Sequence, residues 1–497
     1  MNFTVQQLQA EKITADAVVV LVPQSEESFW DGSAELKKLA EAAGPLLTSG
    51  DFTGARDTSA VAYTSWKKLP RIILVGYGET GQVSLEKLRR AGALAIQRAA
   101  GLKCKTLAVV QPTIAGFTPA ELAQAISEGL ALGVYSYDKH ISQKPNGGSP
   151  SPDKVTLLGL DADQVKGMKV GVATGKAVSD GVILARDLAN APSNEIDPQT
   201  LAARAKELSS VGIKVTVLSK AQIQKLGMGG LLAVSQGGPM PPSFIIMEWH
   251  GGARGEQPIV FVGKGVTFDS GGISIKPGAG MADMKLDMGG AAAVIGAIQS
   301  IATLKLKRNV IGLVAATENM PSGTAFKPGD VIKHLNGKTS EIDNTDAEGR
   351  LILADALTYA DRYKPQAVID LATLTGACLV ALGNVASGLM GNNPELNNRI
   401  RQAGDRTYDR VVELPLWEEY EELIKSDVAD VKNSGGRGAG TITAALFLKT
   451  FIGNYPWAHI DIAGTGMTSR PSGYINKGGT GAGVRLLVDI VQNWSNL

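Results

Sequence analysis

The sequence predicts an α/β protein of two domains: a smaller N-terminal α/β domain and a larger C-terminal α/β domain with a central mixed sheet flanked by helices. Three observations predict it. Short runs rich in Val, Ile and Leu alternate with stretches of helical apolar spacing along the whole chain, the rhythm of strands buried between helices. Its 497 residues are too many for one ordinary domain. Apolar content of 44% with 59 glycines fits a large core and many loops.

In the first third, residues 17–22, 71–75, 106–110 and 155–160 read as strands of a mainly parallel sheet. Between them, 85–100 and 119–132 have helical spacing, the second opening on Thr118 as N-cap with Glu121 three residues on. Residues 143–152 are polar and turn-rich, an exposed loop before the last strand. A long helix over 169–189 connects the domains, which places the first at 1–165, the connector at 166–192 and the second at 193–497. In the second domain, strands are expected at 214–218, 244–248, 259–263, 309–315, 367–371 and 457–462. Helices are expected at 199–209, 289–303, 350–364, 394–408 and 441–451. The glycine clusters at 435–440 and 478–483 are either loops where backbone approaches a ligand or plain surface turns.

A net charge of +1 carries no global basic field for nucleic acid and no acidic one for a cationic substrate. Cys104 and Cys378 are the only cysteines, without a C-x-x-C pair, which excludes a thiolate zinc site and fits a reducing compartment. The N-terminus lacks a basic segment followed by an apolar one, and no run approaches eighteen apolar residues. The expectation is a cytoplasmic enzyme with no membrane partner.

Chemistry concentrates in two stretches. One is Asn344-Thr345-Asp346-Ala347-Glu348-Gly349-Arg350-Leu351. In an extended segment, Asp346, Glu348 and Arg350 project to one side, and two carboxylates so close need cations to organise them, leaving the guanidinium for an anion. The other stretch carries Lys264, Asp269, Lys276 and Asp287. Lys264 and Asp269 follow a strand expected to end at Gly263, at the carboxyl edge where open α/β sheets bind ligands. Taken singly these are ordinary loop charges; taken together they make a site. Two lookalikes are set aside. Residues 171–177 (GVATGKA) are one residue short of a phosphate loop and lack its Ser/Thr, and they fall inside a helix. Gly76-Tyr77-Gly78-Glu79-Thr80-Gly81 has dinucleotide-type spacing but no acidic partner.

The runs 262–276, 282–293 and 344–351 resemble the leucyl aminopeptidase family, of the bacterial aminopeptidase A or cytosol aminopeptidase type. The resemblance implies a dinuclear metal site and a metal-dependent exopeptidase. Asp269 and Glu348 would bridge two ions, Lys264 and Asp287 would complete one shell, and Asp346 the other. Lys276 and Arg350 would be catalytic, Arg350 by holding a bicarbonate that serves as base. Oxygen-rich ligation with one amine suits Mn²⁺, Zn²⁺ or Mg²⁺. The resemblance also implies that Thr373, Leu374 and Gly376 line the substrate, that Asn344 bonds its backbone, and that the protein is a homohexamer acting on peptides with a free N-terminus, leucine-like residues first. Met284 and Met467 are either an adaptable pocket wall or core methionines. None of the four histidines falls in the motif, and each is expected to be non-catalytic. A rival from another class is an accessory role in DNA binding for recombination or transcription control. A second rival keeps the metals and hydrolyses phosphoesters.

Overall fold

The computed structural model describes residues 1–24, 27–143 and 151–495. The chain divides into two compact units, Met1–Ser179 with Arg470–Asn476, and Asp180–Ser469 with Lys477–Leu497. The helix expected to connect the domains runs Ala162–Asn190, so the division falls inside it. Most of the turn-rich stretch 143–152 lies outside the described residues.

In the first unit a six-stranded sheet has the order Asn2–Gln7, Lys154–Gly159, Thr106–Val110, Ala17–Pro23, Arg71–Gly78, Ser59–Tyr63. All neighbours are parallel except the last pair. The apolar runs made the central strands legible; the edge strand Asn2–Gln7 was not, because four of its six residues are polar and exposed. Helix Pro119–Leu132 opens on the expected capping box, with Thr118 N donating to Glu121 Oε2 at 2.8 Å and Glu121 N to Thr118 Oγ1 at 3.2 Å. This helix packs on Leu85–Gly101, and buried Arg89 Nε donates to Glu128 Oε2 across that contact at 2.6 Å. The returning segment 470–476 joins this unit through Tyr474, whose hydroxyl donates to Glu86 at 2.8 Å.

The second unit is built on an eight-stranded mixed sheet. Its order is Val411–Glu413, Ser387–Gly391, Trp457–Asp461, Ala367–Ala372, Ile259–Asp269, Asn309–Asn319, Ser243–His250, Lys214–Leu218. The four strands from Trp457–Asp461 to Asn309–Asn319 are mutually parallel; antiparallel neighbours flank them on both sides. Helix Gly289–Thr303, apolar nearly all round and almost wholly buried, covers one face. Gly349–Ala360 and Gly440–Phe451 cover the other with a cluster that includes Val260, Val262, Val266, Leu353, Phe447 and Trp457. The strand expected to stop at Gly263 runs on to Asp269, because its parallel pairing with Asn309–Asn319 continues through Val266 and resumes at Asp269 after a register shift. Lys264 therefore stands within the strand, on the face of Val260 and Val262. Residues 171–177 are helical, as read, and Gly76 and Gly78 end a strand before a short 3₁₀ turn.

Candidate metal centre

The parallel strands deliver their carboxyl ends to one place, and the charged residues picked out in the sequence meet there. Lys264 Nζ, 3% exposed as a residue, lies 2.7 Å from Asp287 Oδ2 and 2.9 Å from Glu348 Oε1, and donates to the carbonyl of Thr373 at 3.1 Å. Lys276 Nζ lies 2.9 Å from Asp269 Oδ2 and also pairs with Asp346. One ligand atom each from Asp269, Asp346 and Glu348 fall within 4.8 Å of one another, a spacing that could hold a cation. Four carboxylates thus face two ammonium groups in a largely buried setting.

That imbalance shows in the acidities. Burial pushes Glu348 above the ordinary carboxylate range, and the nearby Asp269 charge adds to it. Burial also raises Asp287 and Asp346, against the opposing pull of Lys264 and Lys276 respectively. Burial works the other way on the lysines, but the carboxylates outweigh it and hold both ammoniums above the usual lysine value. Glu348 Oε2 is buried and has no hydrogen-bond partner among the described residues. A buried, unpartnered carboxylate oxygen in a negatively unbalanced cluster is what a divalent ion would satisfy, so the residues fit the metal pair that the motif implied.

The octapeptide is not extended. Asn344–Ala347 is a turn closed by Ala347 N donating to Asn344 O at 3.2 Å, Glu348 precedes the helix, and Arg350 lies in its first turn. Extension loses because Asn344 Oδ1 accepts from Asp346 N at 2.9 Å, a side-chain-to-backbone bond that favours turns. That bond also ties the side-chain oxygen of Asn344 to its own loop. Gly349 is there for space: a Cβ at this position would come within 2.6 Å of Lys264 Cε and 2.8 Å of its Nζ.

Sequence reasoning missed three buried residues that brace the site, two of them by holding this loop. Asn433, fully buried, accepts at Oδ1 from Asp343 N (2.8 Å) and Asn344 N (3.2 Å), and donates from Nδ2 to Asn344 O (2.7 Å). Its own carbonyl accepts from Arg350 Nη1 at 2.7 Å. Asn319 Nδ2 donates to Asp269 Oδ1 at 2.8 Å and to Thr345 O at 3.0 Å, joining the two charged stretches. Asp461 carries the 373–375 turn. The signals available were the glycine cluster just after Asn433 and polar residues closing apolar strands at Asn319 and Asp461.

Arg350 is buried, makes no ion pair among the described residues, and leaves Nε without a hydrogen bond. Burial lowers its pKa to about 10, so the guanidinium stays charged at neutral pH. Thr373 Oγ1 donates to Asp287 Oδ1 at 2.8 Å. Leu374 is half-buried against the core and Gly376 opens a short helix, while Met284 and Met467 are half-exposed rather than core. Of the histidines, buried His459 bonds Asp370 at 2.5 Å and buried His334 bonds Ser340 at 2.8 Å. His250 is exposed at the end of strand Ser243–His250.

The fold and this centre are those of a metallohydrolase, and the comparisons specify which. Residues 183–488 match the catalytic domain of the cytosol aminopeptidase family, and 18–144 match its N-terminal domain. A probable cytosol aminopeptidase of Roseiflexus castenholzii is 47% identical over 454 residues, covering 90% of this chain and 93% of the relative. The counterpart in Geobacter sulfurreducens is 48% identical over 450 residues, 90% of each. Among solved structures, the bottromycin maturation enzyme BotP in complex with Mn superposes with a TM-score of 0.86 at 33% identity, covering 96% of this chain and 99% of that one. A mutant of tomato leucine aminopeptidase gives 0.87 at 33% identity, covering 99% and 96%. The chain belongs to the cytosol aminopeptidase family and is a metal-dependent aminopeptidase.

The contact between Gly349 and Lys264 yields a prediction. In Gly349→Ala the helix should form as before, since alanine favours it, but Lys264 must leave its place between Asp287 and Glu348. Peptide hydrolysis should fall by about 10²-fold, the cost of a misplacement near 1 Å, with circular dichroism close to wild type and a lower melting temperature, since overpacking costs about 1–3 kcal/mol. Wild-type turnover would show that Lys264 need not sit there.

Proposed function

We propose that this enzyme removes leucine-like N-terminal residues from peptides with a free α-amine. Two divalent ions, Mn²⁺ or Zn²⁺ with Mg²⁺ as a weaker fit, would be held by Lys264, Asp269, Asp287, Asp346 and Glu348. The observation that carries this is the buried carboxylate cluster, short of positive charge, on a chain of this family. When bound, the ions supply a polarised carbonyl and an acidic water. A free substrate amine would complete the coordination, which explains cleavage at the first residue only.

The chain's own groups then have separate tasks. Lys264 would serve as a neutral ligand, its proton displaced by the cations that take over the charges now pairing with it. Lys276 keeps its proton and places a positive charge where an oxyanion develops. Arg350, a buried guanidinium without a counter-ion among the described residues, suits a planar bicarbonate as base. Met284, Asn344, Thr373, Leu374, Gly376 and Met467 would line the substrate. Assembly as a homohexamer, which the family resemblance implies, and a cytoplasmic location, which the relatives' names support, are part of the same proposal.

Two outcomes are expected. After exhaustive chelation a leucyl anilide should not be cleaved; restoring Mn²⁺ should restore cleavage, and an N-acetylated leucyl substrate should remain inert throughout. Cleavage of the acetylated substrate at the same rate would rule out amine recognition. The second outcome separates the two cations in carbonate-depleted buffer. Lys276→Ala should lower kcat by about 10²–10³ while still responding to bicarbonate. Arg350→Ala should lose that response, with a smaller fall in rate. If Arg350→Ala responds to bicarbonate as wild type does, the anion is held elsewhere.

A further inference from the structure

The chain leaves strand Ala367–Ala372, makes a three-residue turn, and enters the helix Gly376–Leu382 with Thr375 as N-cap. One buried carboxylate holds the turn from the neighbouring strand. Asp461 pairs in register with Ala372 and is fully buried. Its Oδ1 accepts from Leu374 N and from Ala463 N, both at 3.1 Å, and from Thr375 N at 3.5 Å; its Oδ2 accepts from Thr375 Oγ1 at 2.6 Å. Thr375 Oγ1 in turn lies 2.9 Å from Thr441 Oγ1 and accepts from Cys378 N at 3.1 Å.

What the turn presents is Thr373. Its carbonyl is the one non-carboxylate group bonded to Lys264 Nζ among the described residues, at 3.1 Å, and its hydroxyl donates to Asp287 Oδ1 at 2.8 Å. A lysine acting as a metal ligand offers one lone pair and keeps two N–H bonds, which need acceptors on the side away from the ion. Thr373 O is such an acceptor, and it sets the direction of the lone pair. Asp287 is oriented by the same residue through the hydroxyl.

From this we infer that Asp461 is a positioning residue for one half of the metal centre: through the 373–375 turn it aims Lys264 and Asp287, and not Asp346. The inference rests on the two-ion reading above. Partners of this kind around a metal site fix the rotamers of the ligands they touch. Asp346 is instead oriented by its own loop, through Asn344 and Asn433, so the two halves have separate supports.

The test is metal affinity by equilibrium dialysis against Mn²⁺, with bound metal counted by mass spectrometry. Wild type should hold two ions per chain. Asp461→Asn, which cannot accept at both oxygens, should hold one as wild type does and the other about 10–100-fold more weakly. Thr375→Val, which removes the hydroxyl donor to Asp461, should move the same ion in the same direction and covers the case in which Asp461→Asn does not fold. Equal weakening of both ions, or wild-type affinity for both in either folded variant, would overturn the inference. Fewer than two ions on wild type would instead remove the two-ion reading on which it rests.

Discussion

The structure of the second unit depends on gathering four carboxylates, three of them buried, at the carboxyl ends of parallel strands. Two unit charges 4 Å apart interact by about 4 kcal/mol at an effective dielectric constant near 20. Several such repulsions rival the whole stability of a domain, roughly 5–15 kcal/mol. Lys264 and Lys276 offset part of them, each lying between two carboxylates. Burial first, and the repulsion they leave second, raise the pKa of Glu348 and Asp287, and Glu348 Oε2 stays unsatisfied. A divalent pair would relieve both at once, which favours the proposed metal centre over a structural ion-pair network.

Keeping such a cluster in register takes rigid backbone around it, supplied by two buried amides and one buried carboxylate. Asn433 bonds both sides of the 343–347 turn, Asn319 joins that turn to Asp269, and Asp461 holds the turn that supports Lys264. Neutral amides suit this task because they satisfy backbone donors and acceptors without adding to the electrostatic imbalance. Gly349 contributes by absence: only without a Cβ can the helix start come so close to Lys264.

Much of this was legible in the sequence, and the rest was hidden for identifiable reasons. The central strands and the covering helices announce themselves through apolar periodicity, and the capping box at Thr118 through local spacing. Lys264, Asp269, Asp287, Asp346 and Glu348 could be picked out because motif spacing survives in one dimension. The end of strand Ile259–Asp269 could not, since pairing with Asn309–Asn319 carries it through polar residues that break the apolar run. At Asn344–Ala347 the sequence suggests only an extended path, because alternating charges mimic strand periodicity, while an asparagine bond to the backbone decides for a turn. Asn433 and Asp461 left only indirect signals: their partners lie 89 and 87 residues away in sequence and are mostly backbone groups, which leave no trace in side-chain pattern.

In the two-ion reading proposed above, Lys264 is an ammonium in the metal-free cluster and becomes a neutral ligand when cations enter. Its pKa is raised above the ordinary lysine value by Asp287, Glu348 and Asp269, so the proton is present throughout the neutral range and must be expelled on binding. Metal affinity should therefore increase as pH rises towards that pKa. The direct measurement is isothermal titration calorimetry of Mn²⁺ into the chelated enzyme at one pH, in buffers of different ionisation enthalpy. Net proton release to the buffer of about one per chain or more is expected, falling by about one in a folded Lys264→Met variant, since the raised carboxylates shed protons as well. An observed heat independent of the buffer would contradict it.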